Sequence, residues 1–566
     1  MIRDSITTPG PQVGPRYKWI ALSNTTLSAL MVSLSGTSIM LALPVIFRGI
    51  NINPLAPGSF NYLLWLLMGY MLVVAVFVVT FGRLGDMFGR TRMYNLGFAI
   101  FTVGSGLCAI AWSMGTAGAL ELILFRVVQG VGGAFLFANS AAILTDAFPE
   151  NQRGMALGLN QVAFIAGTLL GILVGGLLAE VGWRWVFLIN VPIGAAGTIW
   201  SYFSLREIGI RKRETIDWWG NLTFAAGLTM LLVGITYGIN PSGASPMSWT
   251  SPFVVGMLAG GGVLLAVFVF IEARVRVPMF RLNLFRIRAF AAGNAAAFLA
   301  AVARGGLMFM LAIWLQGIWL PLHGYDFEVT PLWAGIYMLP MGAGFLLAGP
   351  FFGWLSDRLG ARYFTTGGMI LAAVSFVLLR LLPVDFPYLP FALIILLNGL
   401  CMGMFTAPNT AAIMNSVPPK HRGVSSGMRA TLNNMGMPLS IGIFFSLIII
   451  GMTASVPAAM YSGLIQEGVP SQVAQQLASV PPIGYLFAAF LGYNPLATLI
   501  PSEVLHTLSA AQVATITSRA FFPQLIAGAF DHGITAVMTF SAVMCLIASA
   551  ASWLRGGRYV YHEEGE

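Results

Sequence analysis

Three arginines stand inside otherwise apolar stretches of the sequence, where an ionisable side chain is costly and usually has a function. They are Arg126 in LILFRVVQGVGGA, Arg304 in AAVARGGLM and Arg429 in SGMRATLNNMG. Carboxylates lie only at the edges of such stretches, at Glu121, Glu272 and Asp531. A buried guanidinium attracts anions and repels cations most strongly where the dielectric constant is low. The arginines therefore predict a neutral, zwitterionic or anionic ligand. The alternative for each is a side chain that snorkels or binds backbone carbonyls.

Other polar side chains in the apolar stretches can hydrogen-bond to such a ligand. They are Gln129, Gln161, Asn294, Gln316, Asn433 and Asn434. Arg429 and Asn433 are four residues apart and share one face of a helix. The rings of Trp65, Tyr70 and Trp314 offer stacking surfaces, although aromatic residues near span ends also form interfacial belts.

One short charged motif occurs twice. Residues 82–92 read GRLGDMFGRTR and residues 353–362 read GWLSDRLGAR, so the spacing Gly-x-Leu-x-Asp-x-x-Gly recurs after 271 residues. The residues that define the two copies are Gly82, Asp86, Gly89, Arg90, Gly353, Asp357 and Arg358. The glycines permit a tight turn, and Asp86 can cap the next helix or pair with Arg83 or Arg90. A single copy is typical of a charged turn, whereas two copies predict a polar latch that opens and closes.

The apolar stretches place these residues in a membrane. Of the 566 residues, 57% are hydrophobic and 9% are charged, and the mean hydropathy is +0.82. A soluble protein carries about a quarter charged residues. Each stretch has about 20 residues or more, enough to cross a bilayer as a helix. We predict an all-α polytopic membrane protein with fourteen transmembrane helices, at residues 19–47, 60–82, 93–113, 118–144, 154–179, 185–205, 219–239, 252–272, 289–320, 331–353, 364–382, 389–414, 423–451 and 532–554.

The basic residues orient the chain. With a cytoplasmic N-terminus, 22 Lys and Arg residues lie on the cytoplasmic side, 3 lie within spans, and 4 lie outside, at Arg48, Arg184, Arg380 and Arg519. Loops rich in Lys and Arg stay cytoplasmic, so we predict a plasma (inner) membrane protein with both termini in the cytoplasm. The net charge of +9 then reflects the basic cytoplasmic loops and does not indicate nucleic-acid binding. The first apolar stretch is too long for a cleaved signal peptide.

The two motif copies divide the chain into related halves. Each copy lies between the second and third helices of a six-helix set, with helices 7 and 8 inserted between the sets. The predicted segments are a cytoplasmic N-terminus (1–18), a six-helix bundle (19–205), the inserted helices with basic cytoplasmic loops (206–288), a second six-helix bundle (289–554) that includes a long outer segment (452–531), and a cytoplasmic tail (555–566). Parallel half-repeats are typical of secondary transporters, in which one half rocks against the other. This organisation puts the predicted latch at the cytoplasmic closure.

Four further segments make the sequence resemble one family. They are LILFRVVQGVGGA, which fits an Arg-x-x-Gln-Gly pattern through Arg126, Gln129 and Gly130, then GTLLGILVGG, WRWVFLINVPIG and EARVRVPMFRLNLFRIRAF. Together with the repeated motif they resemble the major facilitator superfamily, and within it the fourteen-helix branch of drug/proton antiporters. The resemblance implies two six-helix bundles around a central cavity and proton-driven export of amphiphilic compounds. The expected partners are a small amphiphile or lipid, protons and the bilayer, without a cofactor, a metal or a nucleic acid.

The sequence departs from that branch in two helices. The first helix reads LSGTSIMLALP, with the cavity residue Ser35 where the relatives carry an aspartate and Met40 where they carry an asparagine. Serine does not titrate, so a proton acceptor is expected elsewhere, at Glu121 or Asp531 on the outer edge. Helix 5 has Ile172 in place of a proline but keeps four glycines that allow close helix packing. These glycines are Gly167, Gly171, Gly175 and Gly176.

Three other functions stay open. The first is a lipid or anionic-amphiphile transporter, or flippase, with weak or no proton coupling, and the second is a transporter-like sensor or scaffold. The third is an enzymatic role for the outer segment. Its Glu467, Glu503, His506 and Arg519 show no catalytic or metal-binding spacing. We therefore predict a transporter and not an enzyme.

Overall fold

The computed structural model describes residues 16–56, 58–208, 216–241, 247–275, 278–418 and 422–556. Within these ranges, thirteen helices are long and apolar enough to cross a membrane. The remaining predicted span, the third in the chain, is also a helix but a more polar one. Most of the predicted tails, 1–18 and 555–566, and part of the basic loop after the sixth span lie outside the described residues.

The first bundle contains the six spans expected before the inserted pair. Its helices are α1 (Tyr17–Gly49), α2 (Ser59–Phe88), α3 (Arg90–Ala109), α4 (Gly115–Ala147), α5 (Glu150–Val181), α6 (Trp183–Leu188) and α7 (Asn190–Ser204). Helices α6 and α7 together make the sixth span. Helix α3 is less apolar because its first turns carry Arg90, Arg92 and Asn95. Its 20 residues still extend about 30 Å, and it packs against α2, α4 and α7.

Two inserted helices follow, α8 (Trp218–Gly238) and α9 (Pro252–Glu272), which pack side by side. Each begins at a polar cap. The Asp217 carboxylate accepts a hydrogen bond from the Gly220 amide at 2.8 Å, and the Ser251 hydroxyl accepts one from the Val254 amide at 3.2 Å. Such caps satisfy amides that a helix start otherwise leaves unpaired. Both inserted spans accordingly begin within one residue of the predicted positions.

The second bundle begins with an irregular span. A 3₁₀ turn (Leu282–Arg286) leads into α10 (Arg288–Arg304), and α11 (Leu307–Trp314), a π-helical turn (Leu315–Trp319) and α12 (Leu320–Leu322) continue the same span. The next spans are α13 (Thr330–Leu359), α14 (Ala361–Arg380), α15 (Tyr388–Asn415) and α16 (Arg422–Thr453). A π-helical turn inside an α-helix is frequently found at a functional site.

Six short helices connect α16 to the last span. They are α17 (Val456–Gln466), α18 (Ser471–Ala478), α19 (Pro482–Phe490), α20 (Leu496–Leu499), α21 (Ser502–Thr507) and α22 (Ala510–Thr517), and the last span is α23 (Phe521–Trp553). The helix that contains the last predicted span therefore begins within the predicted outer segment, 452–531. The polar pair Asp531 and His532 marked the predicted start of the last span, but the apolar residues before this pair extend the helix back to Phe521.

The two bundles repeat one another in detail. Gln129 of α4 donates to Ser105 of α3, with 2.6 Å between Nε2 and Oγ. At the equivalent place in the second bundle, Asn398 of α15 donates to Ser375 of α14, with 2.8 Å between Nδ2 and Oγ. A single glycine with positive φ makes the turn between α2 and α3, and another makes the turn between α13 and α14. We call the end that carries these two turns the motif end and the opposite end the far end.

The bundles meet along two helix pairs, α2 with α16 and α5 with α13. The inserted α8 lies on the seam between α2 and α16. Asn240, just after α8, donates to Asn61 of α2 at 3.0 Å, and a Cβ on Gly442 of α16 would come within 2.7 Å of Ile235 of α8. The inserted pair is thus in contact with both halves.

Candidate functional site

The first motif copy is helical on both sides of a single glycine, which corrects the expectation of a loop from Gly82 onward. Only Gly89 forms the turn, with a φ of +113° that favours glycine. Gly85 serves a different purpose, because a Cβ there would collide with the side chain of Asn139 on α4. The motif therefore places Asp86 in the last turn of α2, where that helix lies close to α4.

Arg90, the first residue of α3, joins two carboxylates. Its guanidinium lies 2.8 Å from Asp86 Oδ1 and 2.6 Å from Asp146 Oδ1, which α4 contributes. Asp86 was a predicted partner. Asp146 was missed because 56 residues separate it from Arg90, and only the packing of α3 on α4 brings them together. This Arg90 cluster ties together three helices of the first bundle at the motif end.

Glu207 caps the start of α3, in place of the predicted cap by Asp86. Its Oε1 accepts a hydrogen bond from the Arg90 amide at 2.9 Å, and its Oε2 accepts one from the Thr91 amide at 3.1 Å. A carboxylate at this position satisfies free amides and interacts favourably with the helix dipole. Because Glu207 follows α7, the cap fastens the end of the sixth span to the motif. In the sequence, the only indication of this cap was that Glu207 is an acidic residue just beyond the sixth span.

The second motif copy has the same backbone geometry and different side-chain partners. Helix α13 includes Gly353 and Arg358, and Gly360 makes the turn with a φ of +88°. The exposed Arg358 guanidinium lies 4.2 Å from the centre of the Trp354 ring. The side chain of Asp357 lies outside what the structure describes. Arg358 thus makes a cation–π pair within the second copy, and Ala361 stands at the motif position that Arg90 has in the first copy.

A buried polar cluster lies where α4 meets α1, α2 and α3. Arg126 donates to Gln129 Oε1, and Gln129 Nε2 donates to Ser35 Oγ at 3.2 Å and to Ser105 Oγ at 2.6 Å. The guanidinium of Arg126 also lies 4.2 Å from the centre of the Tyr70 ring. Arg126 Nε and the Tyr70 hydroxyl have no hydrogen-bond partner among the described residues. This Arg126 cluster holds one positive charge and two unused polar groups in a buried site.

Arg304 and Arg429 belong to the second bundle and are partly exposed. The Arg304 guanidinium lies 5.2 Å from the centre of the Phe345 ring of α13. Arg429 Nε and Asn434 Nδ2, both on α16, lack a hydrogen-bond partner in the described ranges, and Asn433 is partly exposed beside them. No carboxylate that the structure describes forms an ion pair with any of the three arginines inside the spans.

Three predicted polar residues have different surroundings. Asn294 is buried and donates to the Phe290 carbonyl at 2.9 Å. Gln316 is fully buried on the π-helical turn, and neither of its side-chain polar atoms has a partner in the described part of the chain. Gln161 is exposed on α5. Of the three, Gln316 has the strongest need for a further polar partner, because an unsatisfied buried group costs about 1–3 kcal/mol.

Two edge carboxylates were predicted as proton acceptors. Glu121 accepts a hydrogen bond from the Ser113 amide at 2.9 Å through Oε2, and its Oε1 has no partner among the described residues. No ion pair joins it to Arg126 in the described structure. Asp531 is half-buried on α23, beside His532. The two carboxylates thus belong to different bundles.

The glycines of α5 bring three helices together. A Cβ on Gly167, Gly171 or Gly175 would collide with α1, at Leu30, Leu34 and Ser38 respectively. Gly176 instead approaches Leu332 of α13 in the second bundle. Helix α5 therefore packs against its own bundle on one side and against the other bundle on the other side. It runs without interruption through Ile172.

Helix α19 closes the far end, although its sequence is too short to span a membrane. Six buried rings, here called the aromatic plug, meet there: Phe47, Phe60, Phe309, Phe445, Phe487 and Phe490. The ring of Phe487 in α19 lies 5.7 Å from Phe47 and 5.7 Å from Phe60 of the first bundle. The ring of Phe490 lies 5.7 Å from Phe309 of the second bundle. The plug therefore joins the two bundles, and the apolar run GYLFAAFLGY was its only signal in the sequence.

A further buried cation lies at the motif end of the second bundle. Arg555, two residues beyond α23, donates to Asn409 Oδ1, and Asn409 donates to the Gly293 carbonyl at 3.1 Å. Burial lowers the pKa of Arg555 from its ordinary value to about 10. The predicted tail thus begins with a residue that ties α23 to α10 and α15.

Known proteins match this chain over most of its length. A family model described as Major Facilitator Superfamily matches residues 25–441. The chain is 29% identical to the riboflavin transporter RibZ of Clostridioides difficile, over 76% of this chain and 88% of the relative. It is 27% identical to multidrug resistance protein 3 of Bacillus subtilis, over 77% of this chain and 80% of that relative. It is 25% identical to the tetracenomycin C resistance and export protein of Streptomyces glaucescens, over 94% of this chain and 91% of that relative.

Solved structures share the fold. A bacterial homologue of the human lysosomal transporter Spinster, inward-facing and unoccupied, matches with a TM-score of 0.56 over 96% of this chain and 98% of that one, at 17% identity. An autoinhibited peptide transporter of the POT family matches with a TM-score of 0.54 over 84% of this chain and 96% of that one, at 15% identity. At such identities the likeness establishes the fold alone.

Proposed function

The chain belongs to the Major Facilitator Superfamily, and from this premise we propose that it is a secondary active transporter that exports neutral or anionic amphiphilic small molecules across the plasma membrane. Relatives named for multidrug resistance and for export of tetracenomycin C support an amphiphilic substrate. The relative named as a riboflavin transporter supports a substrate range that is wider than drugs.

The observation that carries the proposal is the lack of an acidic partner for the three arginines inside the spans. Arg126, Arg304 and Arg429 form no ion pair with a described carboxylate. In a low-dielectric site, such a guanidinium binds an anionic or polar group and opposes a cation. Because Arg304 and Arg429 are partly exposed, we assign them to the polar head of the substrate.

Alternating access is the proposed mechanism. The aromatic plug and the approach of Gly176 to Leu332 hold the bundles together at the far end. By the distribution of basic residues, we take the far end as the outer side and place both termini in the cytoplasm. The Arg90 cluster and the Glu207 cap stiffen the motif end of the first bundle, so that this bundle rocks as a unit.

Proton coupling through an edge carboxylate is part of the proposal. Ser35 does not titrate, and its hydroxyl accepts a hydrogen bond from Gln129. Glu121 Oε1 has no partner in the described residues and is available to carry a proton. Asp531, on the opposite bundle, is the second acceptor that we assign. We expect this coupling to be weaker than in relatives that carry an aspartate in the first helix.

A second candidate is transport of a membrane lipid or anionic amphiphile with little or no proton coupling. The supporting observation is an apolar groove of about 520 Å³ between α13, α14 and α15. Leu347 and Phe351, which line it, are 68% and 56% exposed on spanning helices. A groove that opens towards the bilayer can admit an acyl chain from the side.

The test is transport into proteoliposomes with an imposed pH gradient, with anionic, zwitterionic and dicationic amphiphiles of matched hydrophobicity side by side. We expect the anionic and zwitterionic compounds to move faster with the gradient and the dicationic compound to be excluded. Movement of a lipid analogue at a rate that does not depend on the pH gradient would favour the second candidate. Preferential movement of the dicationic compound would contradict the proposed substrate charge, and absence of all flux would favour a sensor or scaffold.

A further inference from the structure

Two carboxyl groups of the inserted helix pair are buried together at the motif end. Asp217 precedes α8 and Glu272 ends α9, and they are 6% and 3% exposed. One oxygen of each accepts a backbone hydrogen bond. Asp217 Oδ1 accepts from the Gly220 amide at 2.8 Å, and Glu272 Oε2 accepts from the Phe280 amide at 2.8 Å. These bonds hold both carboxyl groups in fixed positions.

The other two oxygens both lie beside Gly220. A Cβ on Gly220 would come within 2.4 Å of Asp217 Oδ2 and within 2.7 Å of Glu272 Oε1, and the two side chains are within hydrogen-bonding reach of each other. Neither oxygen has a donor among the described residues. Two ionised carboxylates cannot form a hydrogen bond, because both only accept, and like charges this close disfavour double ionisation. A shared proton satisfies both oxygens.

A positive charge among the described residues lies near the carboxyl pair. Among the described residues, the charged groups that face Glu272 are Asp217, which precedes α8, and Arg83 of α2, the second residue of the first motif copy. Arg83 also donates to the Pro278 carbonyl. The nearby Arg274 lies on the Phe270 ring, 4.6 Å from its centre. One proton leaves the carboxyl pair with a single negative charge, and the guanidinium of Arg83 faces that charge. Buried charges are tolerated when they are paired in this way.

We infer that Asp217 and Glu272 share one proton at neutral pH and form a proton-binding site that links the inserted helix pair to the first motif copy. Helix α8 is tied to α2 by hydrogen bonds from Thr80 to Asn221 and from Asn240 to Asn61. Loss of the shared proton puts a second negative charge in the buried site and separates the ends of α8 and α9. Since α8 also lies on the seam with α16, the protonation state bears on how the two bundles meet.

The direct test is the infrared absorption of protonated carboxyl groups in the purified full-length protein. At neutral pH we expect the wild type to show a protonated carboxyl band that disappears at high pH. In Glu272→Gln and in Asp217→Asn, the new amide donates to the remaining carboxylate in place of the proton, so this band should be lost in both variants. Glu503→Gln removes an exposed carboxylate of α21 and should leave the band unchanged.

Two results would overturn the proton site. One is a wild type without a protonated carboxyl band at neutral pH, a measurement that needs no variant to fold. The other is a band of wild-type size in both variants. A thermal unfolding curve for each variant confirms that a lost band is not a lost fold.

The link between this proton site and transport rests on the proposed function. A second measurement distinguishes a failure of the link from a failure of the proposed function. We expect the pH dependence of transport in proteoliposomes to contain a step that is absent in Glu272→Gln. If the wild type transports no amphiphile, the proposed function fails while the infrared result stands. If transport is robust and its pH profile is the same in Glu272→Gln, the site carries a proton without acting on transport, and the proposed link is wrong.

Discussion

Gln129 donates a hydrogen bond to Ser35 across the contact between α4 and α1, with 3.2 Å between Nε2 and Oγ. The carbonyl oxygen of the same amide accepts a hydrogen bond from Arg126. A single side chain therefore separates the serine of the first helix from a buried guanidinium. The first helix presents a neutral acceptor to a positive cluster, at the position where the drug/proton antiporters that this sequence resembles carry a carboxylate.

Replacing Ser35 with aspartate should change the charge preference of the transporter. A carboxylate beside Gln129 offsets the charge of Arg126, so we expect transport of a dicationic amphiphile to increase about tenfold, or about 1.4 kcal/mol. Transport of anionic and dicationic compounds is measured in proteoliposomes. Ser35→Asn is the matched uncharged control. Identical selectivity in Ser35→Asp and Ser35→Asn would show that this position does not set substrate charge.

Arg304→Ala should weaken binding of an anionic amphiphile about 10- to 100-fold, because a hydrogen bond to a charged group contributes about 1.5–3 kcal/mol. A neutral analogue of the same size should lose little affinity. Titration calorimetry with both compounds measures the difference. Arg304→Lys should keep most of the affinity, and Arg380→Ala, at an exposed far-end position, should keep all of it. Equal losses for both compounds in Arg304→Ala would indicate a packing role instead.

Asp86→Asn and Asp146→Asn each remove one of the two carboxylates bound to Arg90. These ion pairs are partly exposed, so each contributes about 0.2–1 kcal/mol. We expect a few-fold slower turnover in each variant, a larger effect in the double variant, and substrate affinity within about threefold of the wild type. Initial transport rates and binding titrations separate the two effects. The exposed far-end Asp385→Asn is the control. A large affinity loss with unchanged turnover would place these aspartates in the substrate site.

Phe487→Ala should loosen the far end. Its ring contacts Phe47 and Phe60, and each aromatic pair contributes about 0.5–1.5 kcal/mol beyond area burial. With a cysteine introduced at the buried Gln316 as reporter, we expect labelling by a membrane-impermeant thiol reagent to become about tenfold faster. Phe253→Ala, on the exposed face of α9, should not change the rate. Equal labelling rates in both backgrounds would mean that the plug does not control access.

Glu121→Gln and Asp531→Asn test the assigned proton acceptors. Substrate-induced proton movement, followed with a pH-sensitive dye, should fall in the variant that removes the acceptor and vanish in the double variant. Glu467→Gln, in the connecting segment before α23, serves as the control. Full coupling in the double variant would exclude both edge carboxylates and leave the Asp217–Glu272 pair as the next group to test.

Local patterns explain why the architecture could be predicted. The length and hydropathy of a span depend on the residues within it. Thirteen of the predicted spans are accordingly helices that are long and apolar enough to cross a membrane. Errors occurred where local polarity was misleading. Asp531 and His532 hid the first turns of α23, and the glycines of the first motif copy indicated a loop, although only Gly89 leaves the helix.

The sequence by itself determined the membrane class, the two halves, the inserted pair and the positions of the arginines inside the spans, because each of these follows from residues close together in the chain. Only the tertiary structure decided which polar groups meet. Arg90 finds Asp146 on another helix, and Asp217 meets Glu272 across the inserted pair. Helix α19, too short to span, becomes a buried plug because both bundles supply rings around it. Such contacts depend on how helices pack, and hydropathy and spacing along one chain do not encode which faces will meet.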